Sequence, residues 1–151
     1  MKLAEALSIR KDLQTKISQL ESRLCNNVKI QEGDEPAEDP NELMKTLDSC
    51  LNKLEDMIAK INTTNMHTVV NGRTLTQMMA EREVLSKRIN VLRSVFDRAS
   101  ATQDRYSRSE IKMVTTVDVK ALSKQIDKLS QKLRTLDIDI QTANFNTELE
   151  N

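Results

Sequence analysis

Apolar residues recur every three or four positions along four long stretches of the chain. This spacing places them on one face of an α-helix, so the pattern predicts helices over residues 2–27, 40–62, 74–104 and 118–146. The first stretch has a narrow seam that Arg10 interrupts, and the last repeats over about three heptads, as in a coiled coil. The two seams are Ala6, Leu13, Ile17, Leu20 and Leu24, and Leu122, Ile126, Leu129, Leu133, Leu136, Ile140 and Ala143.

The second and third predicted helices each carry an additional apolar row beside the first. The additional rows are Met44, Leu51 and Ile58, and Val84, Val91, Val95 and Ala99. A helix that is apolar over so wide an arc usually packs against more than one neighbour. We therefore expect a homo-oligomer in which these faces are buried between chains, and the alternative is a single-chain four-helix bundle.

Local signals mark where the helices begin and end. Asp39 followed by Pro40 starts the second helix, Thr74 with Gln77 resembles a capping box for the third, and Asp118 is placed to cap the fourth. The polar run at 62–65 predicts the end of the second helix, and Asn71-Gly72 predicts a turn. Short strand-like segments are expected near 28–30, 66–70 and 109–117, the last from its alternating β-branched residues.

These elements predict an all-α fold with at most a minor β element, in a single domain spanning residues 1–151. The four long amphipathic helices would form an elongated antiparallel bundle or coiled-coil hairpins. Two Gly and two Pro in 151 residues exclude an all-β sandwich, which needs many tight turns. They also exclude a glycine-rich nucleotide-binding loop.

Charge and cysteine content narrow the class of protein further. Lys and Arg together number 23 and balance 23 acidic residues, which argues against nucleic-acid binding. The sequence has no run of about 20 apolar residues that would predict a transmembrane segment. Glu5 interrupts the apolar stretch that a signal peptide would need. Cys25 and Cys50 lie inside helical patterns and fit small buried side chains better than a disulfide framework. We expect a cytoplasmic protein.

The sequence offers no catalytic, cofactor-binding or metal-binding set. His67 is the only histidine and has no oriented partner nearby in sequence, so we interpret it as a surface or loop residue. Asp137 and Asp139 are two positions apart on a helix and point in different directions. We therefore expect no enzyme activity and no cofactor.

Two charged segments are candidate sites. An acidic loop at residues 31–39 carries Glu32, Asp34, Glu35, Glu38 and Asp39 but lacks the ligand spacing of an EF-hand. A basic junction between the third helix and the strand-like segment contains Arg105, Tyr106, Arg108 and Lys112. We expect the loop to dock on the junction, within a chain or between chains; the alternative is that the junction binds an anion such as phosphate.

The same two segments carry a family resemblance. Residues 26–40 and 104–112, together with 61–65 and 72–76, resemble hallmarks of small bacterial helical proteins often labelled septicolysin. Arg82-Glu83 departs mildly from the Arg-Asp pair expected in that family. The resemblance implies a helical fold and, through the label, a cytolysin, but it supplies no defined catalytic or binding residues.

The sequence as a whole predicts a non-enzymatic, oligomeric helical protein that acts through protein–protein assembly. The first alternative is a septicolysin-like, membrane-active cytolysin. The second is anion or ligand binding at the basic junction.

Overall fold

The computed structural model describes residues 1–101 and 111–151. In chain order the elements are α1 (Leu3–Asn27), α2 (Pro40–His67), β1 (Val69–Val70), β2 (Arg73–Thr74), α3 (Leu75–Ser100) and α4 (Val119–Asn146). The predicted all-α class with a minor β element is confirmed. The chain divides into two compact units, one made of Met1–Leu75 with Gln141–Asn151 and the other of Thr76–Ile140.

In the first unit α1 and α2 pack together and run in opposite directions, because the loop of residues 28–39 returns the chain. The seam of α1 meets apolar residues of α2 in a core of Leu20, Leu24, Leu43 and Cys50, flanked by Leu13, Ile17 and Leu47. Burial of each large side chain contributes about 1.5–3 kcal/mol. Asp39 caps α2 as predicted, since its carboxylate accepts the Asn41 N–H at 2.9 Å.

In the second unit apolar residues of α3 pack against the seam of α4. The buried residues are Leu85, Ile89 and Ile126, with Leu92, Phe96, Leu122, Leu129 and Leu133 packed around them. The predicted cap of α4 is also confirmed, because the Asp118 carboxylate accepts the Ala121 N–H at 3.0 Å. The prediction that the apolar periodicity marks paired helices therefore holds in each unit.

The expected strand-like segment at 28–30 is wrong, and the one at 109–117 is wrong over its described residues, 111–117. Val28 has helical torsions at the end of α1, and residues 28–30 are exposed and pair with no strand. Residues 111–117 are exposed and form no strand in their described part, although their alternation is of the β type. A strand needs a neighbouring backbone to bond with, and neither segment has one among the described residues.

The third segment, 66–70, is correct in part. Val69 and Val70 pair with Thr74 and Arg73 in an antiparallel hairpin. The turn is Asn71-Gly72, where both residues have positive φ values of 50° and 79°, as a two-residue hairpin turn requires.

The predicted end of α2 at 62 is wrong, since the helix continues to His67. Thr64 is fully buried and its hydroxyl donates to the Lys60 carbonyl oxygen at 2.8 Å, within the helix. Burial of Thr64 and Asn65 in the tertiary structure therefore overrides the weak helix propensity of this polar run. The end predicted for α3 at 104 lies outside the described residues, and α3 is helical through Ser100.

Candidate functional site

The basic junction is only partly described. Arg105, Tyr106 and Arg108 lie outside the described residues. Lys112 is exposed, and its neighbours Ile111, Met113 and Val114 are the most exposed large apolar side chains of the described chain. The segment that follows the junction is therefore an apolar strip open to solvent.

One carboxylate of the acidic loop is held by the helix that precedes it. Glu38 forms a bidentate ion pair with Arg23 of α1, with the Arg23 Nε 3.0 Å from Glu38 Oε2. The hydrogen bond from Arg23 lowers the pKa of Glu38, and the same contact raises the pKa of Arg23. Asn27 joins the two segments, because its side chain donates to the Arg23 carbonyl oxygen at 2.8 Å and accepts the Glu38 N–H at 3.0 Å.

The remaining loop acids have separate roles. Asp39 is occupied in capping α2. The tip turns at Gly33, whose φ is +90°, and the Asp34 N–H donates to the Gln31 carbonyl oxygen at 3.0 Å. Three carboxylates are left exposed at the tip: Glu32, Asp34 and Glu35. Only this tip is open to a further basic partner.

A second polar cluster lies where the C-terminal segment (residues 147–151) meets the start of α1. The Leu3 N–H donates to the Thr147 carbonyl oxygen at 2.9 Å, and the Leu149 N–H donates to the Met1 carbonyl oxygen at 2.8 Å. Glu148 accepts from the Lys2 Nζ at 2.6 Å and from the Met1 ammonium at 3.1 Å. The Lys2 contact, with the ammonium, lowers the pKa of Glu148.

The same segment is also fixed to the end of α2. The Glu150 N–H donates to the hydroxyl of the buried Thr64 at 3.0 Å. His67 is exposed, as predicted, and its Nδ1 lies 2.8 Å from Glu150 Oε2. Sequence reasoning missed this cluster because its members are more than 80 positions apart and carry no motif.

The additional apolar rows of α2 and α3 are exposed. In the α2 row, Met44, Leu51 and Ile58 are between 37% and 49% exposed. In the α3 row, Val84, Val91 and Val95 are between 40% and 62% exposed. A neighbouring face of each helix is packed within its own unit, so the rows are not needed to close either core.

A shallow groove of about 600 Å³ lies on the second unit, lined mostly by polar residues of α3. Its charged groups are already paired: Arg82 lies 3.5 Å from Asp137, and Lys87 lies 3.0 Å from Glu83. An anion would have to compete with these carboxylates. The groove is therefore a weaker candidate than the apolar rows.

Among the described residues, no group of three or more His, Cys, Asp or Glu side chains is arranged to hold a metal ion. Both cysteines are free thiols; Cys50 is buried as expected, whereas Cys25 is exposed, which corrects the expectation for it. No helix in the described part of the chain has the length and apolarity needed to span a membrane.

The comparisons with known proteins agree with this architecture. The profile of a family of unknown function, DUF6847, matches residues 10–149. The chain belongs to this family. A similar solved structure is described as a functionally unknown conserved protein from Corynebacterium diphtheriae. The two sequences are 40% identical, the alignment covers 99% of each chain, and the TM-score is 0.92. None of the curated proteins compared with the chain matches it.

The DUF6847 assignment supports part of the resemblance noted in the sequence. It places the chain in a family without a defined role, and the similar structure comes from a bacterium. Neither match carries the septicolysin label, so a lytic activity rests on the resemblance alone.

Proposed function

We propose that this DUF6847 protein is a non-enzymatic assembly module that forms homo-oligomers through the exposed apolar rows of α2 and α3. The α2 row carries the proposal: three large apolar side chains repeat at seven-residue steps and remain substantially exposed. Side chains at this spacing lie along one side of a helix, so a second helix can pack lengthwise against them. Covering it removes apolar surface from water, which favours association.

Other features support assembly over catalysis. The single histidine lies at an exposed helix end against Glu150 rather than beside a nucleophile. The charged groups lining the groove of the second unit are paired with one another. The two free thiols support the proposed location in the reducing cytoplasm.

The test is the solution mass by light scattering over a range of protein concentrations. We expect a multiple of the 17.2 kDa chain for the wild type, and dissociation for Leu51→Glu or Val91→Glu, which place a charge in each row. Ser49→Glu is the matched control, because Ser49 is exposed on α2 away from the row. A wild type of monomer mass throughout this range would refute the proposal.

A membrane-active role is the second candidate. The exposed strip of Ile111, Met113, Val114 and Val117 favours it, together with the septicolysin resemblance. Dye release from phospholipid vesicles tests it, with Ile111→Ser and Val114→Ser expected to reduce release. Intact vesicles in the presence of the multimer would exclude lysis.

An anion site at the basic junction is a separate proposal that rests on the residue types Arg105, Arg108 and Lys112. Added phosphate compounds would raise the melting temperature of the wild type, and replacement of Arg105 and Arg108 by Ala would abolish that increase. The docking of the acidic loop on this junction remains a proposal for its exposed tip. Reversal of Arg105 and Arg108 to Glu would then lower the melting temperature or the mass.

A further inference from the structure

We propose that the α2 row of one copy of this chain packs on the α3 row of a second copy, and that charges beside the rows select this pairing. The inference rests on the proposed function, since it requires that the protein assembles. It adds which surfaces meet and why.

The α2 row has an acidic edge. Successive residues of an α-helix are rotated by about 100°. Asp48 and Glu55 therefore lie within about 60° of the row on one side, and the partly buried Leu47 and Leu54 lie on the side that faces the core. No Lys or Arg falls within this arc. A partner of this face therefore meets apolar side chains and two carboxylates.

Basic side chains flank the α3 row. Arg88 and Arg98 lie about 40° from it, one on each side. The other charges near this row are already compensated: Lys87 pairs with Glu83 at 3.0 Å, and Glu81 with Lys132 at 3.3 Å. The uncompensated charge on this face is thus positive.

Four of the charged residues beside the two rows are unpaired in the described part of the chain. Four exposed residues form no ion pair with any described residue: Asp48, Glu55, Arg88 and Arg98. Pairing two α2 rows would bring carboxylates together, and pairing two α3 rows would bring guanidinium groups together. Pairing unlike rows places opposite charges beside a continuous apolar contact, which favours that combination.

A second copy is the partner that this complementarity fits best. Both rows repeat at a seven-residue step, Met44 to Leu51 to Ile58 and Val84 to Val91, so their side chains keep register along the contact. Each copy supplies one row of each kind. Identical copies can therefore bind one another through unlike rows without a further component.

Charge reversal with compensation tests the pairing. One variant carries Asp48→Lys and Glu55→Lys, a second carries Arg88→Glu and Arg98→Glu, and a third carries all four changes. Each double variant should raise the dissociation constant by about tenfold or more. The variant with all four substitutions should return the dissociation constant to the wild-type value. Higher salt should weaken wild-type association. Because all four positions are exposed, the helical circular dichroism spectrum should be unchanged in every variant.

Arg93→Glu is the matched control, since Arg93 is exposed on α3 away from the row. Two outcomes would overturn the inference, and they are distinguishable. The wild type could form a multimer and each charge-reversal variant could have the same dissociation constant as the wild type. In that case the pairing of unlike rows is wrong, while the proposal of assembly stands. If the wild type is a monomer throughout, the pairing and the proposed function fail together.

Discussion

The buried hydroxyl of Thr64 ties the C-terminal segment to α2, and its removal gives a prediction that the structure quantifies. Thr64 is fully buried; its hydroxyl donates to the Lys60 carbonyl oxygen at 2.8 Å and accepts the Glu150 N–H at 3.0 Å. Valine has nearly the same shape but no acceptor. Thr64→Val therefore leaves the packing in place and removes the anchor of the Glu150 amide.

The expected loss comes mainly from the Glu150 contact, because the Lys60 carbonyl oxygen still accepts the backbone N–H of residue 64 within α2. A hydrogen bond of this kind contributes about 1 kcal/mol net to the free energy of unfolding. For a chain of this size, such a loss lowers the melting temperature by about 2–4 °C. Hydrogen exchange at the Glu150 amide should become about fivefold faster than in the wild type.

Thr64→Ser is the control that separates the hydroxyl from the methyl group. It keeps the acceptor but deletes one buried methyl, which costs about 1 kcal/mol in stability. Both variants should melt at a lower temperature, but only Thr64→Val should lose protection at Glu150. Equal protection of this amide in the wild type and in Thr64→Val would refute the assigned contact.

Two further predictions concern the acidic loop. The lowered pKa of Glu38 means that its contribution to stability is present above its ordinary value of 4.5 and is lost as the pH falls through the lowered folded-state value. Urea denaturation measures the difference in the free energy of unfolding between the wild type and Glu38→Gln. This difference should be constant near neutral pH and become smaller in acid. A difference that stays constant down to pH values well below 4.5 would contradict the ion pair with Arg23. Asp39→Ala should lower the free energy of unfolding by about 1 kcal/mol through loss of the α2 cap, whereas Asp39→Asn should retain most of it, and equal losses would show that the cap is not the cause.

The structure distinguishes three parts of the surface of α2. One face packs on α1, its last turn holds the C-terminal segment through Thr64 and His67, and the α2 row is left exposed. A helix that is fixed on one face holds the side chains of its exposed face in a defined arrangement. This arrangement supports the proposed packing through the α2 row.

Local sequence determined the helices, their caps and the hairpin turn. Asp39 and Asp118 cap through backbone amides two or three positions away, and Asn71-Gly72 adopts positive φ values that few other residue pairs tolerate. The apolar seams select a face because the period of an α-helix is fixed. Signals of this range lie within a few neighbouring positions, so they can be identified without knowing the fold.

The tertiary structure decided the features that depend on residues distant in sequence. Burial of Thr64 carries α2 through a polar run that local propensity would end, and the alternating residues 111–117 form no strand because no partner backbone lies beside them in the described chain. The Arg23–Glu38 pair and the Thr64–Glu150 contact depend on chain reversals that bring distant positions together. Residue type determines the charge of each group, whereas only the packed chain determines which opposite charge it meets and which apolar rows stay exposed.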